Sequence, residues 1–182
     1  MKIKLDSFHL NFKDYGNSQP SIDGSDVTFL LSKSPAGLFP VTTQPLPVDP
    51  VYYFEVEIIS SSGCYGYFGI VTSSGPVKNE DTIHYVLSFS SDNQQGLRKG
   101  TLSISPSEVY LIGSTILKGL TVVTGSKHGF LLDQSSMTLT WIVNGTKMGN
   151  VPMSNGDWYF CVGMWCCETH HFRVHFNLPI PS

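Results

Sequence analysis

The sequence predicts an all-β chain folded as a single two-layer sandwich of antiparallel strands. Three observations carry that expectation. Apolar and polar residues alternate over short windows, β-branched and aromatic residues are enriched in those windows, and Gly, Pro, Ser and Asn punctuate the chain between them. No long stretch repeats with helical spacing.

The elements follow in chain order. Residues 32–50, "SKSPAGLFPVTTQPLPVDP", hold five prolines and read as an ordered connection into the next strand. The preceding segment is too short to hold a core of its own, so 1–50 is expected to supply N-terminal strands and connecting loops to a single 1–182 domain. In "YYFEVEI", Tyr52, Phe54, Val56 and Ile58 face one way and Tyr53, Glu55 and Glu57 the other. "YFGIV" (67–71), "FLL" (130–132) and "WYFCVGMW" (158–165) are apolar on both faces and suit strands covered on both sides.

"GFLLD" and "MTLTWIV" are expected as antiparallel neighbours joined through "QSS", with Met137, Leu139, Trp141 and Val143 on one face and Thr138, Thr140 and Ile142 on the other. Asn144 and Gly145 then make a tight turn, since both tolerate positive φ and the turn's twist matches its strands. A short strand, "KMGNV", returns from it. In "FRVHF", Phe172, Val174 and Phe176 alternate with Arg173 and His175.

A chain of 182 residues with 41% hydrophobic content can bury roughly 70% of its unfolded surface without a disulfide or metal staple. Net charge is -3 and the eleven Lys and Arg residues are scattered, which argues against nucleic acid as a partner. The start, "MKIKLDSFHL", turns polar at once and carries no secretory pattern. The apolar runs fall short of a membrane span. With four cysteines (Cys64, Cys161, Cys166 and Cys167), the expectation is a cytoplasmic or nuclear protein with reduced thiols. The "NGT" at Asn144 reads as turn chemistry rather than as a glycosylation acceptor.

The order "YYFEVEI", "GYFGIV", "GSKHGFLLD", "LTWIVNGTKMGNV", "WYFCVGMW", "FRVHFN" resembles a SPRY domain from about residue 5 to the end. Each motif is weak alone; six in sequence are specific. The chain departs from the family pattern at Ser126, where an Asp is usual, and at Trp141, where a Phe is usual. The first suggests a loosened turn and the second a different core volume.

The resemblance implies a bent β-sandwich of jelly-roll or concanavalin-like topology that binds a short segment of a partner protein through loops at one edge. Carried over position by position, it implicates Thr72 and Ser73 after "FGIV", His84 and Tyr85 in "IHYVLSF", and Met164, Trp165 and Cys166 at the end of "CVGMW". A loop around Gly37, Leu38 and Phe39 is expected to close one side. Tyr85 and Cys166 stand where the family usually has Trp and Gly. Trp165 is the residue expected to anchor the partner, as rigid aromatic side chains do at interfaces; its competing role is as a core residue.

Other constellations carry less. Cys161, Cys166, Cys167, His170 and His171 lie close in sequence, but without the paired spacing of zinc sites, and Cys161 suits a small apolar core position. His84 with Glu80 and Asp81 lacks a nucleophile, and no Gly-x-Ser-x-Gly elbow, P-loop or dinucleotide fingerprint occurs. "LRKG" (97–100) reads as a solvated turn and "SSDNQQG" (90–96) as a polar surface loop. The expectation is therefore a non-catalytic, monomeric interaction module without cofactor or metal. The competing reading is a lectin-like sandwich that binds carbohydrate, with Asp133 and Asn144 as its only candidate sugar or calcium ligands.

Overall fold

The computed structural model describes residues 20–23, 26–30, 37–40, 42, 45–47, 50–61, 66–72, 83–89, 96–104, 109–118, 124–164 and 169–182. Side chains are described for 42, 45–47, 50–60, 68–72, 124–162 and 171–182. Within these residues thirteen strands form two antiparallel sheets.

The strands are β1 (Pro20–Asp23), β2 (Asp26–Leu30), β3 (Gly37–Pro40), β4 (Val51–Ser61), β5 (Gly66–Val71), β6 (Ile83–Phe89), β7 (Gly96–Ile104), β8 (Val109–Lys118), β9 (Lys127–Asp133), β10 (Thr138–Val143), β11 (Thr146–Pro152), β12 (Tyr159–Met164) and β13 (Thr169–His175). One sheet runs β1-β2-β13-β4-β9-β10-β11 and the other β3-β12-β5-β6-β7-β8. The edge strands β11 and β8 approach each other along one side. No helix among the described residues is long and apolar enough to cross a membrane.

The core is aromatic and lies between the sheets. Phe54 of β4 stacks on its cross-strand neighbour Phe130 of β9 at 5.2 Å, and meets Phe160 of the opposite sheet edge-on at 5.6 Å. Phe68 of β5 reaches across to Phe130 at 6.0 Å and to Phe172 at 5.4 Å. All five rings have no exposed surface. Edge-to-face pairs of this kind add to the area term because each ring's positive edge meets a negative face. The inward set of β4 is the one its alternation predicts: Phe54, Val56 and Ile58 are at most 1% exposed.

On β12 the consecutive Phe160, Cys161 and Val162 are all buried, as a strand covered on both faces requires. The chain before β4 packs beside it. Thr42 Oγ1 accepts a bond from Phe160 N at 3.1 Å, and Leu46 N donates to Trp158 O at 2.6 Å. β2 pairs with β13 and β3 with β12, so the N-terminal strands enter both sheets.

Several sequence expectations need correction. Met137 is not a strand residue. It sits in the β9–β10 turn at φ 50, held by Met137 N to Gln134 O and by Met153 N to Met137 O. Trp158 precedes its strand rather than opening it. "LRKG" lies within β7, paired on both sides, and is not a turn. Gly37, Leu38 and Phe39 form β3, which pairs with β12, and are not a closing loop.

Ile142 and Tyr53, on the outward face, are as buried as core residues, at 1% and 4% exposed. Gly129 explains part of this. It lies opposite Ile142, and the Tyr53 ring covers it so closely that a Cβ there would meet ring carbons at 2.7 and 2.9 Å.

The turn at Ser126 is not loosened. Gly125 N donates to Ile58 O at 2.7 Å, Ile58 N donates to Ser126 O at 3.1 Å, and Ser126 is 3% exposed. The Ser126 hydroxyl lies 2.9 Å from Nε2 of His128, a buried, neutral imidazole.

Candidate functional site

The strand register decides which of the predicted site residues can act together. Val71 pairs with Tyr159 on one side and His84 on the other, and Ile70 pairs with Tyr85. Thr72, where the chain bends out of the sheet, therefore stands next to the start of β6. His84 and Tyr85 are strand residues, not loop residues; His84 also pairs with Gly100 of β7. Met164 pairs with Gly66 and Gly37, at the far end of the same sheet. With about 3.3 Å of rise per residue, the Val71–Gly66 span of β5 puts Met164 roughly 17 Å from the Thr72 end. Ser73, Trp165 and Cys166 lie outside the described residues, as do Glu80, Asp81, Cys167 and residues 90–95.

The structure thus brings Thr72, His84 and Tyr85 to one end and places Met164 at the other. A single patch built from both sets would have to span the sheet. Strand direction, which the local pattern does not encode, is what separates them.

At the Thr72 end the structure adds a segment that the sequence reading missed. Residues 153–158 join β11 to β12 and are anchored at both ends by buried side chains, Met153 at 5% and Trp158 at 1% exposed. Backbone bonds fix the anchors: Met153 N to Met137 O at 2.7 Å, and Leu46 N to Trp158 O at 2.6 Å. Between them Asn155, Gly156 and Asp157 are exposed. A Cβ at Gly156 would lie 3.7 Å from Thr72 Cγ2, so this segment lies against Thr72. The signal available in the sequence was the second Asn-Gly dipeptide, at 155–156, flanked by apolar anchors.

The opposite end holds a buried polar cluster. Ser126 Oγ and His128 Nε2 are 2.9 Å apart, and the His128 ring stacks on Trp141 (6.1 Å, 17°) and meets Phe68 edge-on at 5.6 Å. His128 is 1% exposed, and burial lowers its pKa from 6.5 to about 4, so the ring is neutral. Neither His128 Nδ1 nor Trp141 Nε1 has a hydrogen-bond partner among the described residues. A Ser–His pair at this distance is what nucleophilic catalysis uses, but such catalysis also needs solvent or substrate access and a group orienting the second ring nitrogen. This pair has neither, and its geometry is that of core framework.

The competing candidates are similarly occupied. Asp133 Oδ1 accepts from Ser135 N (2.9 Å), Ser135 Oγ (2.6 Å) and Ser136 N (3.2 Å), and these bonds lower its pKa from 3.8 to about 2. Asn144 Oδ1 accepts from Lys127 N at 2.9 Å. Both side chains close turns. Cys161 is a free, fully buried thiol whose pKa burial pushes up. Among the described residues no group of three or more His, Cys, Asp or Glu side chains could hold a metal ion.

The sequence matches no protein-family model and no curated protein. Solved structures do match. The PSpry domain of TRIM65 aligns at TM-score 0.54 and 13% identity, covering 96% of this chain and 92% of that one. The carbohydrate recognition domain of Emp47p aligns at TM-score 0.55 and 11% identity, covering 96% and 94%. The alginate lyase AlgAT5, of polysaccharide lyase family 7, aligns at TM-score 0.54 and 12% identity, covering 97% and 94%. At such identities the likeness establishes a fold. The chain is a two-layer antiparallel β-sandwich, an architecture shared by the SPRY, carbohydrate-recognition and lyase structures it aligns with.

Proposed function

We propose that this chain is a non-catalytic interaction module of the SPRY type. It binds a short segment of a partner protein at the end of the sandwich that carries Thr72, His84 and residues 154–157. The observation that carries the reading is where the six motifs fall: on β4, β5, β9, β10–β11, β12 and β13, of which β13-β4-β9-β10-β11 are neighbours in one sheet and β12-β5 in the other. Motifs that fall together on adjoining strands in each sheet form a framework, and a framework leaves its ends to differ. The likeness to the PSpry domain of TRIM65 supports the same reading.

The choice of end rests on convergence. Three separate stretches of chain meet at Thr72, and the 154–157 segment presents exposed polar groups from fixed anchors. Fixing both ends of the segment lowers the ordering cost of binding. The partner is a peptide segment, the module a monomer, and its setting the cytoplasm or nucleus.

A lectin-like role is the second reading, favoured by the likeness to the Emp47p carbohydrate recognition domain. Against it, Asp133 Oδ1 and Asn144 Oδ1 accept hydrogen bonds that close the protein's own turns.

The test is a peptide array probed with the wild-type protein, with Thr72→Arg and with Trp165→Ala, the aromatic residue that the family resemblance implicates, each checked for an unchanged melting temperature. Peptides lost only by Thr72→Arg support the proposal. Loss confined to Trp165→Ala takes the site away from Thr72 and overturns the proposal. Binding on a glycan array that needs calcium, with no peptide captured, replaces the proposal with the lectin reading.

A further inference from the structure

The chain holds two Asn-Gly dipeptides, Asn144–Gly145 and Asn155–Gly156, and the structure treats them differently. Asn-Gly is the dipeptide most prone to lose its side-chain amide, because the following residue lacks a Cβ to hinder ring closure. At Asn144 the amide is clamped. Its Oδ1 accepts from Lys127 N at 2.9 Å and its own N donates to Lys127 O at 2.9 Å. The turn is set at φ 47 and 82 between the paired Val143 and Thr146. Closing a ring there requires breaking the Lys127 bond and unwinding the turn.

At Asn155 nothing comparable holds the side chain, which makes no hydrogen bond to any described residue. Asn155 and Gly156 are both exposed, so water reaches them. Gly156 sits at φ 151, with Thr72 Cγ2 at an ordinary 3.7 Å from a Cβ built there. The anchors Met153 and Trp158 keep the segment in place without restraining its tip.

We propose that Asn155 is a site of spontaneous deamidation in the folded protein, and that the β10–β11 turn protects Asn144 from the same reaction. The Gly156 backbone nitrogen attacks Asn155 Cγ, forming the C–N bond of a five-membered succinimide. The Cγ–Nδ2 bond breaks and ammonia leaves, with the Gly156 N–H proton passing to solvent or to the leaving group. Water then adds to either ring carbonyl and opens the ring to aspartate or isoaspartate. The product places a new carboxylate beside Asp157, on the segment that lies against Thr72. Any effect on partner binding rests on the proposed function; the modification itself does not.

The experiment uses the intact protein, held in mildly alkaline buffer at physiological temperature, then digested and mapped by mass spectrometry for acid and isoaspartyl forms at both positions. A parallel sample is held in denaturant. In the folded protein Asn155 is expected to convert ~10-fold or more faster than Asn144, the difference that one hydrogen-bonded clamp can impose on a rate. In denaturant the two rates converge. Asn155→Gln, whose ring would be larger and slower to close, removes the signal without changing the melting temperature. Equal rates at both sites in the folded protein overturn the proposal. So does an Asn155 that stays intact when folded over a time in which it converts in denaturant, or an acid signal that persists in Asn155→Gln.

Discussion

The two ends of the sandwich are built on different principles. At the Ser126 end the chain is tied by backbone bonds and by side chains turned inward: Gly125 and Ser126 clasp Ile58, Asn144 clasps Lys127, and Ser126 holds His128 beneath them. At the Thr72 end the 153–158 segment is pinned only where Met153 and Trp158 enter the core, and the residues between face solvent. At the Ser126 end the polar groups are turned inward; at the Thr72 end the Asp133–Ser136 turn is closed by its own side chains, and Asn155, Gly156 and Asp157 face solvent. Polar groups facing solvent at the rim of a rigid scaffold are available for recognition.

Substitutions on either side sharpen or break this contrast, and the largest effect belongs to the core beneath the tied end. Trp141→Ala should cost about 3–5 kcal/mol, since it removes a fully buried indole and the face on which His128 stacks. Urea denaturation checks this, and a near-neutral result would mean that β10 does not face the core.

The second effect is a pH dependence. His128 stays neutral in the folded protein down to about pH 4, whereas in the unfolded chain it takes a proton near 6.5. Between those values the unfolded state binds more protons, so stability rises with pH across that window. It is complete above about 6.5 and declines as pH falls toward 4, by about 3 kcal/mol in all. Denaturation curves at several pH values should show this slope in the wild type and a flatter one in His128→Gln. The same slope in both would assign it elsewhere.

Gly129→Ala comes next. The added methyl must displace the Tyr53 ring, whose hydroxyl donates to Glu55 Oε1 at 2.6 Å, so a loss of about 1–3 kcal/mol is expected. Tyr53→Ala in the same background should recover part of it, a non-additivity that a double-mutant cycle measures.

The smallest effects compare the two Asn-Gly sites directly. Asn144→Ala should cost about 1 kcal/mol, through loss of the Lys127 bond and a left-handed φ that Ala tolerates poorly. Asn155→Ala should stay within about 0.5 kcal/mol, as surface changes without partners do. If the two cost the same, the ends do not differ in the way described.

Much of the fold was legible because a strand writes its facing into every second residue. "YYFEVEI" and "FRVHF" announced their inward sets, and Asn144–Gly145 announced its turn through the positive φ that both residues accept. Met137 was misread for the converse reason. A left-handed φ is uncommon for an unbranched apolar side chain, so its pattern continued the strand when its backbone did not. "IHYVLSF" was placed among the loops and "LRKG" at a turn, although both are strands paired on each side, because hydrogen bonds to neighbouring strands depend little on side-chain type. The candidate site suffered most. Its residues were gathered from stretches whose relative direction no local pattern records.

By itself, then, the sequence determined the class of structure. Two-residue periodicity, β-branched and aromatic runs and turn chemistry are local properties, and they suffice for strands and tight turns. Only the tertiary structure decided which strands are neighbours and which ends coincide, and so that Thr72 and His84 meet while Met164 lies across the sheet. It alone decided that His128, polar in the sequence, is a neutral core residue, and that one Asn-Gly is clamped and the other free. The physical reason is common to all of these. Burial, register and hydrogen-bond partners are set by residues far apart in the chain, and they exist only once those residues have been brought together.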